Sequence, residues 1–392
     1  MSAGSTYERL LSGSRNGGLE SAEGGGAPSP PDPERLITQL SDEVGRLEGR
    51  LGRKADQAAR ELLMRGAEDA LREVADDGAD ARLDMRDIAC LEAVVHSDGT
   101  RPVLFVEDDF FDLKAPAAAD WAASLSAVQA ELRTVCRAVG RVNDPSAPLG
   151  YQGTAWAIDD GVVVTNYHVL EAISTHPSRT DGTFGGELKP DVEVDFGAEV
   201  DFGAGIGGGP SDRVFRISRV LGVGRAGAPE HAHPTVPGVN FDGLDLAVLE
   251  LGPVRGRPFP TPVQVARGDD PDPREGLASR GRGVYIVGFP GNAASTRPDV
   301  FAELFAGVKG VKRLTPGVIT EGRGDRDDDH RKWIIGHDAS TLGGSSGSLV
   351  VDLDGQGGQV IGLHFAGVPD RVNWAHGLEG ATPELAAAIP GW

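Results

Sequence analysis

The sequence predicts a mainly β protein preceded by a helical or mixed α/β N-terminal region, on three observations. The 392 residues include 56 glycines, a content that favours short strands joined by turns over a helical bundle. Short apolar runs rich in Val and Ile, bounded by Gly, Asp and Pro, recur between residues 139 and 365. Ahead of them, apolar residues recur at spacings of three and four, the period of one helix face. The length exceeds one ordinary core and implies two or three domains.

Residues 1–31 are rich in Gly, Ser, Pro and Glu and read as a disordered leader. Residues 32–82 read as a helical segment. Leu36, Leu40, Val44, Leu47 and Leu51 form one stripe, too short for a coiled coil and weakened by Gly45, Gly49 and Gly52. A second helix runs from Ala55 to about Ala75 through Leu62, Leu63, Ala67, Ala70, Leu71 and Val74. It reads as a packing or dimerisation helix, with a docking helix as the alternative. Residues 83–137 read as a small mixed α/β region. Ile88–Val95 is a helix end or a strand, Pro102–Val106 a strand, and Trp121 to about Val139 an amphipathic helix through Leu125, Val128, Leu132 and Val135. Cys90 and Cys136 fall in this region and read as buried thiols.

Residues 138–392 read as one β-rich domain. Val139–Val142 is its first strand. Gly153–Ile158, the turn Asp159-Asp160-Gly161 and Val162–Thr165 make a hairpin. A Gly-rich insertion from Asp191 to Gly209 repeats Val194-Asp195-Phe196-Gly197-Ala198 as Val200-Asp201-Phe202-Gly203-Ala204. Two copies are too few for a solenoid, so the expectation is an extended hairpin or surface loop. Further strands are expected at Val214–Val220, Leu246–Leu251, Gly283–Gly288, Trp333–Gly336, Ser348–Asp352 and Val360–Phe365. Thr382-Pro383-Glu384 opens a short capped terminal helix.

Composition excludes several functions. A formal charge of −21 repels nucleic acid and anionic lipid, so neither is an expected partner. No run of about 18 apolar residues offers a bilayer span, and the first residues hold no apolar run of signal-peptide length. With two cysteines, both ahead of the β-rich domain, a reducing compartment and a cytoplasmic location are expected. No cofactor or metal is expected. Asp325-Arg326-Asp327-Asp328-Asp329 lacks the central Gly and terminal Glu of a calcium loop, and His231-Ala232-His233 lacks companion zinc ligands.

Three segments carry chemistry: Val164–Val169, Asp245–Leu249 and Gly343–Ser348. A hydroxyl is a poor nucleophile at neutral pH. It needs an imidazole to take its proton and a carboxylate to fix that imidazole's tautomer. His168 closes an apolar β run and opens a helical turn, His168–Ala172. Asp245 immediately precedes an alternating strand, with Asp242 as its competitor. Ser346 stands among glycines that permit a tight turn, with Ser345 and Ser348 as alternatives. That turn leaves the N–H groups of Gly344 and Ser346 to form an oxyanion hole, each donor worth about 3–4 kcal/mol. His176, His231, His233, His330 and His337 lie in loop-like sequence and read as solvated.

On Thr165–Val169, Asp245–Leu249, Asp338–Ser348 and Ile361–His364, the sequence resembles the trypsin-like (chymotrypsin-fold) serine peptidases, in particular their bacterial glutamyl endopeptidase-like branch. The resemblance covers about two thirds of the chain. It implies two six-stranded antiparallel β-barrels with the active site in the cleft between them, and peptide hydrolysis through an acyl-enzyme. Thr341 and His364 match the positions that bind a substrate Glu carboxylate in that branch, a suitable task for a hydroxyl and an imidazole. Ser345 stands where trypsin-type enzymes carry an Asp that pairs with a newly freed N-terminus, so that activation device is expected to be absent. Leu349 replaces the proline that usually follows. The expected partners are a protein or peptide substrate and a regulatory protein docked on residues 32–137. The alternative is a peptidase-like binding or signalling module whose triad is latent or unused.

Overall fold

Two β-barrels, each closed by six antiparallel strands, hold most of the chain. The computed structural model describes residues 7, 8, 11, 32–51, 57–84, 87, 90, 91, 94, 101–115, 118–180, 182–201, 211–233, 236, 239–267, 276–290, 310–341, 345–368 and 372–389.

The expected helices are α1 (Pro33–Leu51) and α2 (Gln57–Asp77). Leu36, Leu40 and Val44 are buried in one cluster with Leu63, Ala67, Ala70, Leu71 and Val74. The same cluster takes in Tyr7 and Leu11, so these two residues of the expected disordered leader are helical and buried. Their apolar side chains were masked by the Gly and Ser around them. Cys90, Leu91 and Val94 complete it from helical positions, which decides the helix-or-strand alternative there.

Next come β1 (Leu104–Glu107), β2 (Phe110–Phe111), α3 (Ala122–Ala127) and α4 (Gln129–Ala138). The single helix expected across Trp121–Val139 is therefore two, broken at Val128. A Cβ at Gly357 would lie 2.3 Å from Val128 Cβ, so Val128 is wedged against that turn.

The first barrel consists of β3 (Val139–Asn143), β4 (Tyr151–Asp159), β5 (Val162–Thr165), β8 (Glu193–Asp195), β9 (Val214–Val223) and β10 (Ala247–Leu251). Its core holds Val142, Ala155, Val163, Phe215 and Leu249. Between β5 and β8 lie α5 (Tyr167–Ala172) and the mostly exposed hairpin β6 (Ser174–Thr180) and β7 (Thr183–Leu188). The Gly-rich insertion is not simply a loop. Its first copy supplies β8, paired to β3 and β9, with Val194 and Phe196 in the core. Of the second copy, Val200 is buried and donates its N–H to Val106 O, while residues 202–210 lie outside the described residues.

The second barrel closes in the order β12 (Gly283–Gly288), β15 (Leu349–Asp352), β16 (Gln359–Val368), β17 (Val372–Gly377), β14 (Ile334–His337) and β13 (Arg313–Glu321), which returns to β12. β11 (Gln264–Val265) pairs in parallel with β16. From the N-terminal side β1 adds to β13, Leu104 facing Leu314. β13 and β17 were not expected: Pro316-Gly317 breaks the apolar pattern of the first, and Asn373 and His376 that of the second. The chain closes with α6 (Thr382–Ala388). Thr382 does not cap it; its hydroxyl donates back to the Glu379 carbonyl, 3.0 Å away. Among the described residues no helix is long and apolar enough to cross a membrane.

Candidate active site

Strand register builds the first half of the site. Thr165 at the end of β5 faces Ala247 at the start of β10, so the residues following one strand meet those preceding the other. Asn166 Nδ2 donates to the Asp245 carbonyl (2.8 Å). The Asp245 carboxylate accepts the His168 N–H on Oδ1 at 3.0 Å and faces the ring Nδ1 with Oδ2 at 2.6 Å. The Asp245 N–H in turn donates to His376 Nε2 (3.0 Å). Nδ1–H on the carboxylate leaves Nε2 as the basic nitrogen. Removal from water opposes charge on the His168 ring, but the Asp245 charge and hydrogen bond outweigh it and raise its pKa. Burial likewise works against the Asp245 charge, and His168 outweighs it, holding the carboxyl below its ordinary value. Asp242 is engaged elsewhere, by His231 and His330.

The second half comes from the turn entering β15. Ser346 O accepts the Thr154 N–H of β4 at 2.9 Å, which ties the serine turn to the other barrel. Gly347 has φ +85°, and a Cβ there would sit 2.1 Å from Thr154 O; only glycine fits. The Gly347 N–H donates to His364 O (3.0 Å). Ser345 and Ser348 are buried, whereas Ser346 is half-buried. Neither the N–H nor the hydroxyl of Ser346 makes a hydrogen bond to a described residue, so the Oγ is not bonded to His168 in this structure. Leu342, Gly343 and the second expected oxyanion donor, Gly344, lie outside the described residues.

Beside this turn lies a group of buried imidazoles. His364, on β16, is 5% exposed, and its Nδ1 stands 3.3 Å from His337 Nε2. Burial drives His364 well below its ordinary pKa and His337 down to about 3. His376, also fully buried, is pushed down to about 4. His337 is therefore a β14 core residue and not the solvated loop histidine expected. His376 was missed, because it and Asn373 interrupt the apolar pattern that would have marked its strand. Thr341 hydrogen-bonds Asn373 Oδ1, and Asn373 Nδ2 holds the Ala339 carbonyl (3.0 Å). Cys136 is buried in the barrel core with its thiol pushed up to about 12. Cys90 belongs to the separate helical cluster, and neither cysteine forms a disulfide.

The trypsin-like peptidase domain family matches residues 153–363. A probable serine protease of Lysobacter enzymogenes is 30% identical over 382 residues, spanning 92% of this chain and 91% of that protein. Two solved structures are more distant. The serine endoprotease from Yersinia pestis is 17% identical with a TM-score of 0.38, covering 67% of each chain. The inactive form of the Rv3671c protease is 17% identical with a TM-score of 0.35, covering 67% of this chain and 95% of that one. The domain match and the near full-length relative together show that the chain belongs to the trypsin-like peptidase family, the serine-type hydrolases of peptide bonds.

Proposed function

We propose that Ser346, His168 and Asp245 are the working triad of a serine endopeptidase that prefers an acidic residue on the acyl side of the cleaved bond. The observation that carries this reading is the His168 Nδ1–Asp245 contact at 2.6 Å, on the barrel to which the Ser346 turn is tied through Thr154. Ser346 Oγ attacks the peptide carbonyl while its proton passes to His168 Nε2, and Asp245 stabilises the imidazolium. The oxyanion is received by the N–H groups of Ser346 and Gly344. Collapse transfers the His168 proton to the leaving amine and leaves an ester on Ser346. Water, deprotonated by His168, then hydrolyses that ester.

His364 and Thr341 support the acidic preference. His364 Nε2 has no hydrogen bond among the described residues, and the Thr341 hydroxyl lies on the segment leading to Ser346. A carboxylate brought to His364 favours the charged ring that burial now disfavours. The cluster of α1 and α2, a core of its own, supports a docking role for the N-terminal region.

An active-site phosphonate tests the triad. Labelling of the wild type and none of Ser346→Ala is expected, with kcat falling about 10⁶-fold, equivalent to about 8 kcal/mol. Labelling that survives in Ser346→Ala would sink the assignment. The Ser346 Oγ, without a hydrogen bond to any described residue, favours a second reading, a binding module with a latent triad, which an unlabelled wild type would support. A peptide library tests the preference: cleavage indifferent to acidic residues removes His364 and Thr341 from the specificity pocket.

A further inference from the structure

His231 and Asp242 stand 11 residues apart in one connection, and His330, 88 residues beyond Asp242, meets them in the fold. Asp242 and His231 belong to the connection from β9 to β10, and His330 to the connection from β13 to β14 in the other barrel. One nitrogen of each ring and one carboxylate oxygen all lie within 4.8 Å of one another. Asp242 Oδ2 contacts His231 Nδ1, and Oδ1 faces His330 Nδ1 at 3.1 Å. The carboxylate is nearly buried, its side chain 10% exposed, whereas the imidazoles are open, 42% and 57% exposed. The cluster is thus a shallow cup with an anionic floor and a rim of two nitrogen ligands.

The backbone under the cup is fixed. Trp333 Nε1 donates to Phe241 O (2.7 Å), joining the two connections next to the cluster. The Asp242 N–H donates to Asn240 Oδ1 (3.0 Å), and Asn240 Nδ2 to Ala228 O (2.7 Å). The Arg326 guanidinium lies over Phe241 and Trp374 and bonds Asp328 and Glu321, so it does not fill the cup. His233, the other half of the His-Ala-His motif, is turned away: its Nδ1 accepts the Val236 N–H and its ring packs on Phe241 and Trp374.

We propose that His231, Asp242 and His330 bind one divalent cation of the zinc class, with solvent completing the tetrahedron. Two imidazoles and a carboxylate are a donor set that zinc accepts and that calcium and magnesium do not favour. Each ring would ligate through Nδ1 with its proton moved to Nε2. The ion would clamp the connection carrying Asp245, three residues beyond Asp242, to the barrel that carries Ser346.

Zinc ions alone are the probe, added to the full chain carrying His168→Ala so that the catalytic imidazole cannot compete. Calorimetry and metal analysis after dialysis should give one zinc per chain. His231→Ala and His330→Ala should each weaken it at least about tenfold, and the rise in Tm at saturating zinc should vanish with them. Urea unfolding in metal-free buffer checks that each variant folds. Cobalt(II) reads the same site without substituting it: tetrahedral absorption at one equivalent is expected. Absence of stoichiometric zinc and of that absorption, zinc that survives both variants, or zinc displaced by millimolar calcium would overturn the proposal and leave a hydrogen-bonded His–Asp–His bridge.

Discussion

Asp245 and Asp242 stand three residues apart in one connection, and their neighbours separate their roles. Asp245 faces His168 at 2.6 Å and is anchored through its own N–H to His376. Asp242 takes His231 and His330. His168 must be neutral to act as a base, and Asp245 raises its pKa. With His168 as the proposed base, the acid limb of kcat/KM for the wild type should therefore fall above the ordinary imidazole value of about 6.5, with activity lost as pH falls through it. Asp245→Asn should lower kcat by about 10⁴-fold, because the amide favours the wrong tautomer, and should move whatever acid limb remains to lower pH. A pH–rate profile of both proteins checks this, and an unmoved limb would show that Asp245 does not set the titration of His168.

At the scale of elements, β1 and its approach do work that the sequence reading left without chemistry. The Arg101 guanidinium pairs with Asp338 at 2.7 Å, both side chains nearly buried, and the Arg101 carbonyl receives the Ser340 hydroxyl at 3.0 Å. Asp338 also holds the Val318 N–H of β13. The segment leading to Thr341 and Ser346 thus rests on residues preceding β1. A small cavity beside it, about 10 Å³ and near the space one water needs, is lined by Val103, Arg313, Ser340 and Ser345 among others. Ser345 brings no charge to pair with a freed N-terminus, and the Arg101 contacts anchor the segment instead. Arg101→Ala should cost about 3–5 kcal/mol of stability by leaving Asp338 buried without its partner. At a temperature where the variant is still folded, KM for peptides should rise more than kcat falls, with partial recovery in Arg101→Lys. Unchanged kinetics alongside lowered stability would confine Arg101 to a structural role.

At the scale of the whole molecule, three imidazoles are held neutral inside the second barrel. His337, His364 and His376 have folded pKa values far below the ordinary one, at about 3, well below 6.5 and about 4. The unfolded chain takes up protons on these rings near pH 6.5, while the folded chain does so only at much lower pH. Their stabilisation is therefore complete above about pH 6.5 and is lost as pH falls toward the folded values. The slope approaches about 1.4 kcal/mol per pH unit for each ring, about 4 for the three together. His168 contributes with the opposite sign, its raised pKa favouring the fold at low pH, and it is one ring against three. The urea midpoint should fall clearly between pH 7 and pH 5; a flat profile would mean that the rings are not buried neutral.

Much of this was legible in the chain. Alternation and turn residues located the β4–β5 hairpin, β10, β12, β15 and β16, because a strand with one face in a core writes a period of two into its own residues. The i, i+3 and i, i+4 spacings located α1 and α2 in the same way. Strands without a clear signal of their own were not legible: Pro316-Gly317 hid β13, and the Gly-rich repeat made β8 read as part of a hairpin or loop although Val192–Phe196 alternates. The three candidate motifs could be read because each member brings its own local setting of strand end, strand start or glycine turn. Which partners those members take is another matter. Register brings His168 and Asp245 together across 77 residues, and the docking of the barrels brings Asp242 and His330 together across 88. Local periodicity carries no term for contacts across such distances. The sequence by itself determined many of the strands, the helices α1 and α2, and the order His168, Asp245, Ser346. Only the tertiary structure decided which aspartate meets the His168 ring, that His337 and His376 are buried, and that His231 has two companions.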